Sequence, residues 1–108
     1  MPGQREFCVT PGSYDRAMRL TSGHLLGGRV AYAQPATGFR SGIEPVLLAA
    51  SVPARPGQRV LEAGTGAGAA LLCVAERVRG VRGIGIEIDP ALTRLARDNA
   101  RGNDRANE

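Results

Sequence analysis

The pattern of apolar and polar positions is clearest in the second half of the chain. Gln58 to Ala63 reads as a short buried strand that leads into the turn Gly64-Thr65-Gly66-Ala67-Gly68. Ala69 to Val78 then places Leu71, Leu72, Val74, Ala75 and Val78 at helical spacing, and Gly80 stops the helix. From Val81 to Ile88 the period returns to two, with Ile84, Ile86 and Ile88 on one face and Gly83 and Gly85 on the other. Asp89-Pro90 offers an N-cap followed by a proline at the first helical position. Leu92, Leu95, Ala96 and Asn99 recur at helical spacing after it, up to a stop at Gly102. Strand, glycine turn, helix and strand make a βαβ unit, which predicts a right-handed crossover between two parallel strands.

The first half is less regular. Residues 1–22 show little periodicity and read as an irregular arm with a short helical turn from Tyr14 to Leu20. Residues 29–34 set Val30, Tyr32 and Gln34 against Ala31 and Ala33, the pattern of a strand or hairpin arm between Gly27-Gly28 and Pro35-Ala36-Thr37-Gly38. A short helix is predicted over Val46 to Ala50, reaching about Ser51, before Pro53 and Pro56-Gly57. Ser41 and Glu44 have capping-box spacing, whereas Pro45 at the first helical position moves the cap to Glu44. The tail from Asn103 to Glu108 is polar and is expected to fray. Three segments result: an arm over 1–22, a hairpin and helix over 23–57, and the βαβ-α unit over 58–108.

Composition narrows the class. A chain of 108 residues has room for one domain, and 43% hydrophobic with 22% charged residues argues against general disorder. Aromatics are 4% and Trp is absent, so the core rests on Leu, Val, Ile and Ala. No apolar run approaches the ~20 residues of a membrane span. The start, Met1 to Phe7, lacks the basic-then-apolar order of a secretory signal, so a reduced, cytoplasmic setting is expected. Cys8 and Cys73 offer neither a disulfide framework nor zinc spacing, no metal site is expected, and Cys73 among Leu71, Leu72 and Val74 reads as core. All 14 basic residues are Arg and the net charge is +4, but they are scattered among acids. Charge alone therefore does not assign nucleic-acid binding.

The chemistry gathers at the glycine turn. A glycine loop at the carboxyl end of the first strand of a βαβ unit is where such sheets bind ligands. Gly64, Gly66 and Ala69 also satisfy the relaxed dinucleotide fingerprint, so the loop by itself does not separate cofactors. Two carboxylates do more. Glu87 stands 19 residues after Gly68, the position of an acid that accepts hydrogen bonds from a ribose. Glu62, two residues before Gly64, would repel a pyrophosphate but suits the ammonium end of S-adenosylmethionine. That ligand's carboxylate would meet backbone N–H groups at the following helix N-terminus. The single histidine, His24, reads as a loop residue rather than a catalytic base.

Val60-Leu-Glu-Ala-Gly-Thr-Gly-Ala-Gly68 and Gly85-Ile-Glu-Ile-Asp-Pro90 resemble the first two motifs of class I S-adenosylmethionine-dependent methyltransferases. Upstream, Leu25-Leu-Gly-Gly-Arg29 and Gly38-Phe-Arg-Ser-Gly-Ile-Glu-Pro-Val-Leu-Leu48 are similar to the small-domain enzymes that methylate the exocyclic amine of adenine in tRNA. The resemblance spans residues 23–102. It implies a Rossmann-like α/β fold and a cofactor site of Phe39, Arg40, Glu62, Gly64, Thr65, Gly66, Gly68, Glu87 and Ile88. Ile88 would pack on the adenine, and Glu44, where the family more often has Asp, would border the pocket with Phe39 and Arg40.

The family's sheet is larger than these two strands, and its substrate motif, Asn-Pro-Pro followed by an aromatic, does not occur here. The expectation is therefore an incomplete Rossmann-like unit: the amino-terminal, cofactor-binding part of a methyltransferase, without catalytic residues of its own and inactive alone. A tRNA substrate for the whole enzyme and self-association across an open sheet edge are its expected partners. The alternatives are part of a nicotinamide-dependent oxidoreductase and a non-catalytic cofactor-binding or interaction module.

Overall fold

The glycine turns and proline stops divide the chain into short elements, too short to bury an apolar face except by stacking on one another. The computed structural model describes residues 19–38 and 40–104. Its elements run β1 (Leu20–Leu25), a 3-10 turn (Leu26–Gly28), β2 (Val30–Pro35), α1 (Glu44–Ser51), β3 (Arg59–Ala63), α2 (Ala69–Arg77), β4 (Arg82–Ile86) and α3 (Pro90–Gly102). They form a small mixed α/β arrangement with two separate two-stranded sheets.

β1 and β2 make an antiparallel hairpin, in register from Leu20 opposite Pro35 to Leu25 opposite Val30. Leu20 to Ser22, read from the sequence as part of an irregular arm, are strand. Four of the six β1 residues are exposed and polar or small (Thr21, Ser22, Gly23, His24), so the strand has no apolar alternation to announce it. It exists because β2 offers a ladder, and His24 consequently stands on an exposed strand rather than in a loop. Residues 1–18, with most of the expected arm and its helical turn, lie outside the described residues.

α1 begins at Glu44, with Ile43 as an N-cap that supplies no side-chain bond, so Glu44 is the first helical residue rather than the expected cap and Pro45 the second. The helix start is too late for Ser41 to cap it, so the capping box does not form. Glu44 Oε1 instead accepts from the Gly42 N–H at 3.2 Å. At the other end the Arg77 guanidinium donates to the carbonyls of Ala49 and Val52, tying α1 to α2.

β3 and β4 pair in parallel, from Arg59 opposite Arg82 to Ala63 opposite Ile86, with α2 as the crossover. β4 ends at Ile86, so Glu87 and Ile88 lie beyond the strand. One face of this pair carries Val60, Glu62, Gly83 and Gly85. The opposite face carries Leu61, Ile84 and Ile86, which are 63%, 45% and 55% exposed. Parallel sheets are usually covered on both sides, and here one side is bare.

Two apolar clusters share α2. Ala69 and Leu72 meet Val30, Tyr32, Ala67 and Leu95, while Cys73, Val74 and Ala75 meet Ala49 and Val81. Cys73 is buried, as expected of a core residue. Asp89 caps α3, its Oδ1 accepting from the N–H of Ala91 (2.9 Å) and Leu92 (3.5 Å). The polar tail does not fray at its start: Asn103 is bonded to Ala31 at 2.9 and 2.7 Å. Residues 105–108 lie outside the described residues. No described helix is long and apolar enough to cross a membrane.

Candidate functional site

A cavity of 730 Å³ opens between the hairpin and the carboxyl end of the parallel pair. Tyr32 and Gln34 of β2 wall one side, and Glu62, Gly64, Thr65 and Gly66 the other. Glu44, Glu87 and Asp89 add three more carboxylates, and Arg19 is the one cation in the lining among the described residues. The cavity is thus acidic within a chain of net charge +4.

The loop backbone explains the glycines. Gly64 and Gly66 hold φ values of 71° and 60°, left-handed conformations that a side chain would strain. Gly64 and Thr65 both donate their N–H to the Ile86 carbonyl, at 2.7 and 3.1 Å, which hooks the loop onto the end of β4. The Gly66 N–H donates to Glu87 Oε1 at 2.8 Å, and the Asp89 N–H reaches Glu87 Oε2 at 3.1 Å. Glu87 is thereby aimed at the loop, with lone pairs remaining for a ligand hydroxyl.

Glu62 is half-buried and receives a 2.8 Å hydrogen bond from the Thr65 hydroxyl. Burial raises its carboxyl above the ordinary value, and the Thr65 bond offsets part of that rise. No arginine forms a salt bridge with Glu62 among the described residues. A partly desolvated carboxylate without a cation is disposed to accept one from a ligand. Thr65 is itself held against β4: a Cβ on Gly85 would lie 2.7 Å from the Thr65 Cγ2. Gly85 is therefore the residue that lets the Glu62–Thr65 pair sit where it does.

The structure brings Glu62, Gly64, Thr65, Gly66 and Glu87 to one cavity, together with Glu44. Gly68 lies on the far side of the loop as the left-handed N-cap of α2. Arg40 turns its guanidinium to the Thr21 hydroxyl (2.9 Å) and the Pro35 carbonyl (2.7 Å), bracing the hairpin. Ile88 is 95% exposed. Phe39 lies outside the described residues. Sequence reasoning missed Tyr32 and Gln34 as cavity wall, because only the fold folds the hairpin back over the loop. Tyr32 is buried, its hydroxyl 3.3 Å from that of Ser41, and burial raises its pKa.

No family model matches the chain, and no curated protein matches it.

Proposed function

We propose that this chain is the S-adenosylmethionine-binding part of a methyltransferase with a Rossmann-like sheet. The observation that carries the reading is the acidic cavity at the carboxyl end of two parallel strands, with Glu62 partly desolvated beside the glycine loop. Bound there, the cofactor supplies a sulfonium-activated methyl group. Glu62 would hold its ammonium, Glu87 its ribose hydroxyls, and the open backbone at Gly64 and Gly66 would let it approach closely. The residues present fit such a ligand: four carboxylates against one guanidinium favour a cation and oppose a pyrophosphate. That same count disfavours a nicotinamide dinucleotide, although the glycine spacing alone tolerates it.

The upstream segment from Leu25 to Leu48 supports an adenine amine in tRNA as the acceptor of the whole enzyme's methyl group. The chain has no Asn-Pro-Pro-aromatic motif with which to hold that amine. The purified chain is therefore expected to bind S-adenosylmethionine without methylating tRNA. Calorimetric titration with S-adenosylmethionine and with NAD checks the reading. Binding of the first alone is the expected result, and binding of NAD alone would reverse it.

A further inference from the structure

One side of β2 faces β1, which leaves the peptide groups of Ala31 and Ala33 directed to the opposite edge. Unpaired strand edges are costly when covered. Here α3 closes that edge with two side-chain amides spaced one helical turn apart. Asn99 Oδ1 accepts from the Ala33 N–H and its Nδ2 donates to the Ala33 carbonyl, both at 2.9 Å. Asn103 repeats the arrangement on Ala31, accepting at 2.9 Å and donating at 2.7 Å. Each amide thus takes the place of a neighbouring strand. The two are also linked, because Asn103 Nδ2 donates to the Asn99 carbonyl at 2.8 Å.

Asn99 has one more bond, and it reaches the other wall of the cavity. Its Nδ2 donates to the carbonyl of Ala67, in the glycine loop, at 2.9 Å. Both amide protons and the oxygen of Asn99 are therefore spent, and the residue is 6% exposed. Tyr32 and Gln34 flank Ala33 on the hairpin wall, while Ala67 adjoins Gly66 on the loop wall. A single buried side chain spans the two.

We infer that Asn99, seconded by Asn103, is a positioning residue that sets the separation of the hairpin and the glycine loop and so the width of the cofactor cavity. The clamp rests on these hydrogen bonds, and its consequence for affinity rests on the cofactor reading given above. Neither asparagine touches the ligand. A purely packing role for this face of α3 would be served as well by an apolar side chain, whereas a clamp needs the donors.

The test uses the full chain, with Asn99→Asp and Asn103→Ala as variants. Asn99→Asp keeps the acceptor for Ala33 but sets a carboxylate against two carbonyls. S-adenosylmethionine binding should weaken about tenfold at neutral pH, the equivalent of one or two lost hydrogen bonds, and this deficit relative to the wild type at the same pH should shrink on acidification as the carboxyl regains a proton to donate. Asn103→Ala should weaken binding about threefold and remain folded, so it decides the matter if Asn99→Asp does not fold. Wild-type affinity in the folded variants would overturn the inference. Amide hydrogen exchange without ligand gives a readout that does not depend on the cofactor. The Ala33 and Gly68 amides should open at one common rate in the wild type and at separate rates in the variants, and a common rate in the variants would overturn the clamp. If the wild type binds no S-adenosylmethionine, the cofactor reading fails and the exchange rates alone decide.

Discussion

The hairpin β1–β2 buries Val30 and Tyr32 against α2 and α3 and has its outer edge closed by Asn99 and Asn103. The parallel pair β3–β4 turns Leu61, Ile84 and Ile86 to solvent, yet it leads into the glycine loop and brings Glu62 and Glu87 to the cavity. The sheet with a weak apolar pattern is the one sealed on its far edge, and the sheet with a strong pattern is half bare. In this chain, then, an apolar pattern can announce a strand, as in β4, but does not say how completely it is covered. Covering is decided by elements distant in the chain, such as an asparagine 66 residues from the alanine it satisfies.

Truncating Val30 should test the sealed side hardest. It is 2% exposed, and Val30→Ala removes two buried methyl groups and leaves a cavity, a loss of about 2.5 kcal/mol in urea denaturation. Gly85→Ala tests the inner face of the parallel pair. Its new methyl would collide with Thr65 and should cost about 1.5 kcal/mol. Because displacing Thr65 breaks its bond to Glu62, the same variant should raise the Glu62 carboxyl pKa further in an NMR titration. Leu61→Ser on the bare face should change stability by less than about 0.5 kcal/mol. A loss as large as that of Val30→Ala would show that Leu61 is covered in solution and would erase the contrast.

Much of the βαβ unit was legible because its signals are local. Pro90 and Asp89 mark the start of α3, Gly64 and Gly66 mark the turn, and both act over a few residues. The placement of Glu62 and Glu87 at strand ends follows from the same short spacing. β1 was illegible because Thr21 to His24 have no apolar face, and the strand is created by its partner. Asn99 was counted with the apolar face of α3, since spacing shows where a side chain points but not what it bonds. The recurrence of asparagine at 99 and 103 was the available signal. At the start of α1 two local rules competed and neither placed the cap: the helix begins at Glu44 behind Ile43, too late for Ser41 and one residue too early for Glu44 to be the cap.

Whether Glu62 receives the ammonium of a cationic ligand is decided by titration with S-adenosylmethionine as a function of pH. Burial raises the carboxyl of Glu62 above its ordinary 4.5 in the folded chain, so ionising it opposes folding. That contribution to stability is present at low pH and declines as pH rises from 4.5 through the raised value. A bound ammonium would reverse the shift. Protons should then be released on binding within that window, affinity should rise with pH across it, and Glu62→Gln should abolish the dependence and weaken binding about tenfold at neutral pH. Equal, pH-independent affinity in Glu62→Gln and the wild type would contradict the account.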